Sequence, residues 1–211
     1  MGKRRSTSGH PDADTQAAAY AQRLEALQSP WWKRVLDVQR PYRWNLRRLQ
    51  PGFVLDIGCG LGRNLAHLHG HGVGIDHNAE AVRIARARGL CVFEPDEFAR
   101  SDYARPASFD SLLLAHVVEH MTPDDAEQLL RSHLGFLRPG GSVILITPQE
   151  RGFNSDPTHV HFMDLDALES LVRRVGLEVR SRSSFPFPRL LGRVFVYNEF
   201  VMVARAPAVS G

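Results

Sequence analysis

Short apolar runs and amphipathic stretches alternate along most of this chain. The apolar runs predict strands, which lie at 53–57, 72–76, 90–94, 109–115, 142–147, 177–183 and 194–204. Apolar residues at helical spacing predict helices between them, at 63–70, at 78–88, from Thr122 and at 164–175. The LRPGG segment at 137–141 predicts the end of a helix and a turn. The alternation predicts an α/β fold with a largely parallel sheet that ends in a hairpin.

The N-terminal region shows a different pattern. Apolar residues at helical spacing predict a helix over Asp14–Gln28, and Pro30 ends it. A second helix is predicted over Trp31–Leu49, interrupted or restarted near Pro41. We therefore predict a flexible tail at 1–13 and a single domain at 14–211. Within this domain, cap helices are predicted at 14–49 and a core at 50–205.

The most informative stretch, 54–62, reads VLDIGCGLG. An apolar strand contains Asp56, and Gly58, Gly60 and Gly62 then alternate before a predicted helix. Glycines let the backbone approach a ligand closely, and a helix N-terminus offers free N–H groups to an anion. The spacing is not the dinucleotide fingerprint, because an arginine occupies the position of its third glycine.

A second acid, Asp76, ends the apolar run GVGID twenty residues after Asp56. In doubly wound folds an acid at the end of the second strand binds ribose hydroxyls. The two acids and the three glycines between them resemble the S-adenosylmethionine site of class I methyltransferases. The resemblance implies a Rossmann-like, doubly wound sheet of seven strands, a glycine loop against the methionyl part of the cofactor, and Asp76 on the ribose. Another Rossmann-like nucleotide-binding domain is the alternative.

Further cofactor contacts are predicted from the same resemblance. An acid and an apolar residue after the third strand contact the adenine in this family, and Asp96 and Phe98 are the candidates, with Glu97 as the runner-up. His77, which follows Asp76, and Ala115, which ends the fourth predicted strand, complete the predicted set.

Composition and charge narrow the class of protein. The 211 residues are 43% apolar and 23% charged, and no apolar run approaches the ~20 residues of a membrane span. The N-terminal MGKRRSTSGH lacks an apolar segment, so we predict no secretory signal. Cys59 and Cys91 predict reduced core thiols and a cytoplasmic location. A net charge of +3 gives no reason to expect nucleic acid as a partner.

Histidines and acids cluster after the fourth predicted strand. His116, Glu119 and His120 share one face of a helical turn, and the later segment DPTHVHFMD contains His159 and His161. Imidazole and carboxylate groups suit a divalent cation, and an alcohol acceptor needs either a base or a metal to activate it.

The pattern of these residues is similar to the metal-binding set of ubiquinone-pathway O-methyltransferases and small-RNA 2′-O-methyltransferases. The resemblance implies a Mg²⁺-type site formed by Glu119, His120 and His159. His116 stands where those families have Glu. We therefore predict His116 and His161 as the catalytic residues that take the acceptor proton. Glu-His after this strand also occurs in methyltransferases that bind no metal, so that alternative stays open.

Aromatic and polar residues at the edges of the predicted core predict an acceptor site for a sugar or a flat ring. They are Trp31-Trp32, Tyr42-Arg43-Trp44, Gln149 to Met163, Phe185 to Arg189 and Tyr197-Asn198. The chain most resembles small bacterial methyltransferases of glycans or natural products, such as the actinobacterial methylmannose-polysaccharide type. We expect an O-methyltransferase of a sugar or oligosaccharide. The alternatives are a metal-independent methyltransferase of a small molecule, of natural-product or quinone type, and a non-catalytic cofactor-binding partner module. A homodimer through the N-terminal helices or the last strands is an open expectation.

Overall fold

The structure is a computed structural model and describes residues 39–207. The elements of this part are α1 (Arg40–Arg48), β1 (Val54–Ile57), α2 (Arg63–His67), β2 (Gly72–Ile75), α3 (Ala79–Ala87), β3 (Val92–Phe93), α4 (Pro95–Ala99), β4 (Phe109–Ala115), α5 (Pro123–Leu134), β5 (Leu137–Pro148), α6 (Glu150–Phe153), α7 (Leu165–Arg174), β6 (Glu178–Phe185) and β7 (Glu199–Arg205). Short 3₁₀ turns lie at Val118–His120 and Arg189–Arg193. The predicted tail at 1–13, the helix Asp14–Gln28 and the first part of Trp31–Leu49 lie outside the described residues.

The seven strands form one sheet in the order β3-β2-β1-β4-β5-β7-β6. The first five strands are parallel to one another, and β7 lies antiparallel between β5 and β6. This confirms the predicted seven-stranded, doubly wound α/β sheet and its C-terminal hairpin.

The core has one layer on each face of the sheet. Along β4, Leu112 and Leu114 join the layer that contains Leu168 of α7, whereas Leu113 joins the layer that contains Leu46 of α1. Successive side chains of a strand point to opposite faces, so one apolar run supplies both layers. Strands buried on both faces are typical of parallel sheets with helices on each side.

The prediction of a turn at 137–141 is wrong. The helix ends earlier, at Leu134 with Gly135 as its C-cap, and LRPGG belongs to β5. Leu137 pairs with Phe109, and the register then shifts before Ser142 pairs with Ser111. Pro139, Gly140 and Gly141 therefore lie in an irregular stretch of β5 and do not form a turn between two elements.

Two other predicted strands are shorter in the structure. Only Val92–Phe93 of the third is paired, because Glu94 and Glu97 form a capping box that starts α4. The last strand begins at Glu199 rather than at residue 194. The Asn198 side chain accepts the Phe187 N–H at 2.9 Å and so holds the preceding segment as a loop.

Each helix within residues 39–207 is too short or too polar to cross a lipid bilayer.

We expect Leu113→Ala to lower the free energy of unfolding by about 2–5 kcal/mol, because it leaves a cavity between β4 and the α1 layer. Leu190→Ala is the matched control, since Leu190 is 80% exposed, and should change it by less than about 0.5 kcal/mol. Urea unfolding of both variants gives the comparison. Equal effects would contradict the assignment of Leu113 to the core.

Candidate active site

The glycine-rich loop at 58–62 connects β1 to α2 where the strand order reverses, between β1 and β4. Ligands of doubly wound sheets bind in the crevice at such a point. The backbone N–H groups of Gly58 and Cys59 donate to the carbonyl oxygen of Ile75, at 2.8 and 3.1 Å. The loop is therefore fixed against the carboxyl end of β2.

All three loop glycines have a left-handed backbone, with φ of 72°, 53° and 74° at Gly58, Gly60 and Gly62. A Cβ at Gly58 would lie 2.7 Å from Val117 Cγ2, and one at Gly62 would lie 2.3 Å from Leu90 Cδ1. At Gly60 no described atom lies within 4 Å of that position. Packing therefore requires the outer glycines, whereas Gly60 presents open backbone to a ligand.

Asp76 follows β2 directly, and its carboxylate is bound to the glycine loop. Gly60 N–H donates to Asp76 Oδ2 at 2.7 Å, and Asn78 N–H donates to Oδ1 at 2.9 Å. His77 is exposed, and its Nδ1 lies 3.8 Å from Asp76 Oδ1. The structure thus brings together the predicted loop, Asp76 and His77.

Asp56 lies within β1 and is 1% exposed. Burial raises its pKa from 3.8 to about 7, although a hydrogen bond with the Asn64 side chain and the charge of Arg63 act in the opposite direction. Asp56 Oδ2 has no hydrogen-bond partner within residues 39–207. A buried carboxylate oxygen without a partner at the switch point fits a ligand that carries positive charge.

The third predicted segment is a helix, and its residues point in different directions. Asp96 is exposed on α4, and the Glu97 carboxylate pairs with Arg86 at 2.5 Å. The Phe98 ring is buried in the core, where it contacts Phe93, Phe109 and Phe136. The prediction that Phe98 contacts the cofactor is therefore corrected, because its ring is enclosed by other rings. Glu94, which was not among the predicted cofactor contacts, is the residue that directly follows β3.

His116 lies between two buried carboxylates at the end of β4. Its Nε2 is 2.9 Å from Glu199 Oε1, and its Nδ1 is 3.3 Å from Glu119 Oε1. Burial lowers the pKa of His116, but the two glutamates outweigh burial and raise the pKa to about 9. With both ring nitrogens facing carboxylates, the geometry favours an imidazolium at neutral pH and does not favour the predicted role of His116 as a base.

Glu119, His120 and His159 form a second group beside His116. Each offers one ligand atom, and these atoms lie within 4.8 Å of one another. Glu119 is fully buried; its Oε1 faces His116 Nδ1, and its Oε2 has no hydrogen-bond partner in the described part of the chain. The structure thus brings together the three residues predicted as metal ligands.

Backbone carbonyls fix which nitrogen of each histidine is available. His159 Nδ1 is 2.7 Å from the carbonyl oxygen of Phe153, and His120 Nδ1 is 3.2 Å from that of Thr158. Because a carbonyl oxygen only accepts, each Nδ1 must carry the hydrogen, and each Nε2 then has a free lone pair. A backbone acceptor on the other nitrogen is typical of histidines that ligate metals.

His161 is exposed. Its backbone N–H donates to the carbonyl oxygen of Glu119 at 3.2 Å, so the His161 backbone lies beside the metal-type cluster while its side chain is open to solvent.

A small cavity opens on the other side of His116, between α1 and the carboxyl ends of the strands. Its lining includes Tyr42, Arg63, Ala115, His116 and Glu199. The Tyr42 hydroxyl donates to the Tyr197 carbonyl oxygen at 2.7 Å, and burial raises the Tyr42 pKa above its usual range. Of the predicted acceptor residues, Tyr42 thus lines the cavity next to the cofactor loop. Trp31 and Trp32 lie outside the described residues.

Glu199 is a site residue that no sequence motif predicted. It lies inside the predicted strand 194–204, and the only signal is an acid before an apolar run. In the structure it begins β7, and Gln149 Nε2 donates to its carbonyl oxygen at 3.0 Å.

The sequence of the chain matches the family described as the methyltransferase domain over residues 32–182. The chain belongs to this family. It is an S-adenosylmethionine-dependent methyltransferase, in agreement with the resemblance in its glycine loop and two acids. No functionally curated protein matches its sequence.

Solved structures of methyltransferases share the fold. A methyltransferase of Haloferax volcanii, in complex with the Trm112 methyltransferase activator, is 18% identical with a TM-score of 0.68, covering 95% of this chain and 100% of that one. An S-adenosylmethionine-dependent methyltransferase of Archaeoglobus fulgidus is 20% identical, with a TM-score of 0.59 and coverage of 79% and 94%. A TehB-like S-adenosylmethionine-dependent methyltransferase of Corynebacterium glutamicum is 20% identical, with a TM-score of 0.60 and coverage of 90% and 97%.

We expect Gly60→Ala to abolish S-adenosylmethionine binding to this methyltransferase and to leave it folded. The added Cβ meets no described atom within 4 Å, so its cost to the free energy of folding is the strain of a left-handed alanine, about 1–2 kcal/mol. The methyl group would, however, cover the open backbone that we expect the cofactor to contact. Gly70→Ala is the matched control, because Gly70 has φ of 74° and equally open space but precedes β2. Calorimetric titration with cofactor measures both. Normal binding by Gly60→Ala would contradict this assignment.

Asp56 gives the stability of the cofactor-free methyltransferase a pH dependence. Its pKa of about 7 when folded exceeds 3.8, so the folded state binds more protons and the contribution of Asp56 to stability falls as pH rises from about 4 through 7. Between about pH 5 and pH 8 the wild type should lose about 2–3 kcal/mol more than Asp56→Asn, as measured by urea unfolding. Parallel pH profiles of the two proteins would mean that Asp56 is not protonated in the folded state.

Proposed function

We propose that this methyltransferase methylates a hydroxyl of a sugar or oligosaccharide with the assistance of a divalent cation such as Mg²⁺. One observation carries the proposal: the fully buried Glu119 carboxylate, which His116 Nδ1 approaches at 3.3 Å on one side, stands beside the two further imidazoles of His120 and His159. A set of one carboxylate and two imidazoles suits a divalent cation.

The cofactor contacts are assigned to the switch point. Asp56 and the loop glycines 58, 60 and 62 hold the methionyl part, and Asp76 holds the ribose. His77, Glu94, Asp96 and Ala115 flank that site. S-adenosylmethionine supplies an electrophilic methyl group when bound, so the protein's main task is to align an acceptor with it. The fit rests on the open backbone at Gly60 and the unpartnered Asp56 Oδ2.

Glu119, His120 and His159 would hold the cation. A divalent cation supplies Lewis acidity and lowers the pKa of an acceptor hydroxyl. The hydrogen bonds from the two Nδ1 atoms to backbone carbonyls hold both rings in the orientation that presents Nε2.

The proton of the acceptor is assigned to His161 rather than to His116. His161 is exposed beside the cluster, whereas both nitrogens of His116 face carboxylates. His116 instead acts as a positioning residue that holds Glu119 and Glu199 in place through its positive charge.

Exposed aromatic side chains around Tyr42 favour a sugar acceptor. Trp44 is 56% exposed and its ring stacks on Phe185 at 6.4 Å, while Tyr197 is 59% exposed. Flat apolar faces next to polar groups suit the apolar face and the hydroxyls of a sugar ring. A metal-independent methyltransferase of a quinone-type or natural-product ring is the alternative that the same surfaces would serve.

We expect His120→Ala and His159→Ala to raise the Kd for Mn²⁺, used as a probe for the site, by at least about tenfold, because each removes one ligand. His161→Ala is the matched control, since it removes a neighbouring imidazole that is not part of the cluster. Calorimetric titration measures the affinity. Equal Mn²⁺ binding by all four proteins, including the wild type, would contradict the metal site.

Full activity of His161→Ala would contradict its role as the base.

The function itself is tested by transfer of labelled methyl from S-adenosylmethionine into a fractionated bacterial extract, with EDTA and Mg²⁺ add-back. Label in the glycan fraction that disappears with EDTA and returns with Mg²⁺ is the expected result. Label that resists EDTA would favour the metal-independent alternative. Label in RNA or protein would contradict the acceptor class, and cofactor binding without any transfer would favour a non-catalytic module.

A further inference from the structure

A second pocket lies at the edge of the sheet opposite the cofactor loop. Its volume is about 240 Å³, and it is lined by Arg47, Pro51, Gly52, Leu68, His69 and His71. Gly52 lies just before β1 and His71 just before β2, so the pocket opens at the amino ends of these parallel strands. The proposed cofactor and acceptor residues lie at the carboxyl ends, and this pocket has no part in the proposed function.

The nitrogen-bearing side chains of this pocket are arranged as hydrogen-bond donors. Arg47 Nε donates to the carbonyl oxygen of His67 at 2.7 Å, which fixes the guanidinium against α2. Arg47 Nη2 lies 2.7 Å from His69 Nε2. A guanidinium has only donors, so His69 Nε2 accepts and the ring hydrogen is on Nδ1. The other N–H groups of Arg47 and the Nδ1–H of His69 are then available to an anion.

His71 is held in place by an aromatic contact. Its ring meets the Phe53 ring edge-on, with centroids 5.4 Å apart. The imidazole is exposed and lines the same pocket as Arg47 and His69. Three nitrogen-bearing side chains, one from α1 and two from the loop between α2 and β2, therefore meet around one cavity.

The charge of the pocket is not neutralised locally. Arg47 pairs with no carboxylate in the described part of the chain, and the lining residues among 39–207 include no acid. Asp110 is the acid next to Gly52, but its Oδ2 accepts the Phe53 N–H at 2.7 Å and its Oδ1 pairs with Arg138 at 2.5 Å. The Asp110 carboxylate is thus already paired with another arginine, and within residues 39–207 no acid offsets the charge of Arg47.

We propose that this pocket binds the phosphate group of a small phosphate monoester. Arginine donors match phosphate oxygens in geometry, and two imidazoles add further N–H donors. The volume exceeds that of a phosphate group alone, and Pro51 and Leu68 offer apolar walls to the group it esterifies. The electrostatic attraction to these donors is stronger for a dianionic phosphate monoester than for a singly charged diester.

The test is a titration of the full chain with inorganic phosphate, followed in the histidine-ring proton–carbon NMR spectrum. The His69 and His71 signals should shift saturably, while those of His133 and His161, which lie elsewhere, should not. Arg47→Gln should raise the Kd for phosphate at least about tenfold. Arg48→Gln is the matched control, because Arg48 lies over the Trp44 ring instead, and should change it less than about twofold.

Three results would contradict phosphate binding at this pocket: no saturable shift at His69 and His71, the same shift with chloride at equal ionic strength, or an unchanged Kd in Arg47→Gln. Should Arg47→Gln not fold, His71→Gln takes its place, since its ring contacts Phe53 at the surface. Ribose 5-phosphate should bind at least as tightly as inorganic phosphate, and dimethyl phosphate more weakly. Tighter binding of dimethyl phosphate would point to a nucleic-acid backbone and contradict the monoester.

Discussion

Burial of the central strands on both faces constrains everything else in this structure. β1, β2, β4 and β5 lie between two apolar layers, so most polar side chains of the site lie where strands begin or end, and Asp56 lies one residue before the end of β1. Asp76 follows β2, His116 follows β4 and Glu199 begins β7. Because parallel strands end on the same edge, residues that are far apart in the chain meet at one crevice.

The crevice depends on backbone conformations that few residues adopt. The His116 N–H donates to Ile146 O at 2.9 Å and so extends the pairing with β5, and His116 then takes a φ of 60°. Such a conformation costs free energy in a residue with a side chain and is concentrated at functional sites. The chain turns there and brings Val117 against Gly58. The glycine loop therefore packs directly against the segment that leads from His116 to Glu119.

A network of amides fixes the far side of the crevice. Gln149, which follows β5, donates to Ser184 Oγ at 2.7 Å and to Glu199 O at 3.0 Å, and Asn198 donates to Gln149 Oε1 at 3.0 Å. Buried amides that satisfy one another order the ends of β5, β6 and β7 together. The position of the Glu199 carboxylate, and with it that of His116, follows from this network.

The sequence by itself determined the fold class, the glycine loop and Asp76, because local patterns and short spacings encode them. The grouping of Glu119 and His120 with the distant His159 was predicted from the resemblance to metal-binding methyltransferases. Only the tertiary structure decided that Phe98 belongs to the core and that LRPGG is part of a strand, since ring packing and strand register depend on distant partners. It also decided that Glu199 meets His116 across 83 positions. The pKa of His116 reflects the charges around it, and no local pattern contains the positions of those charges.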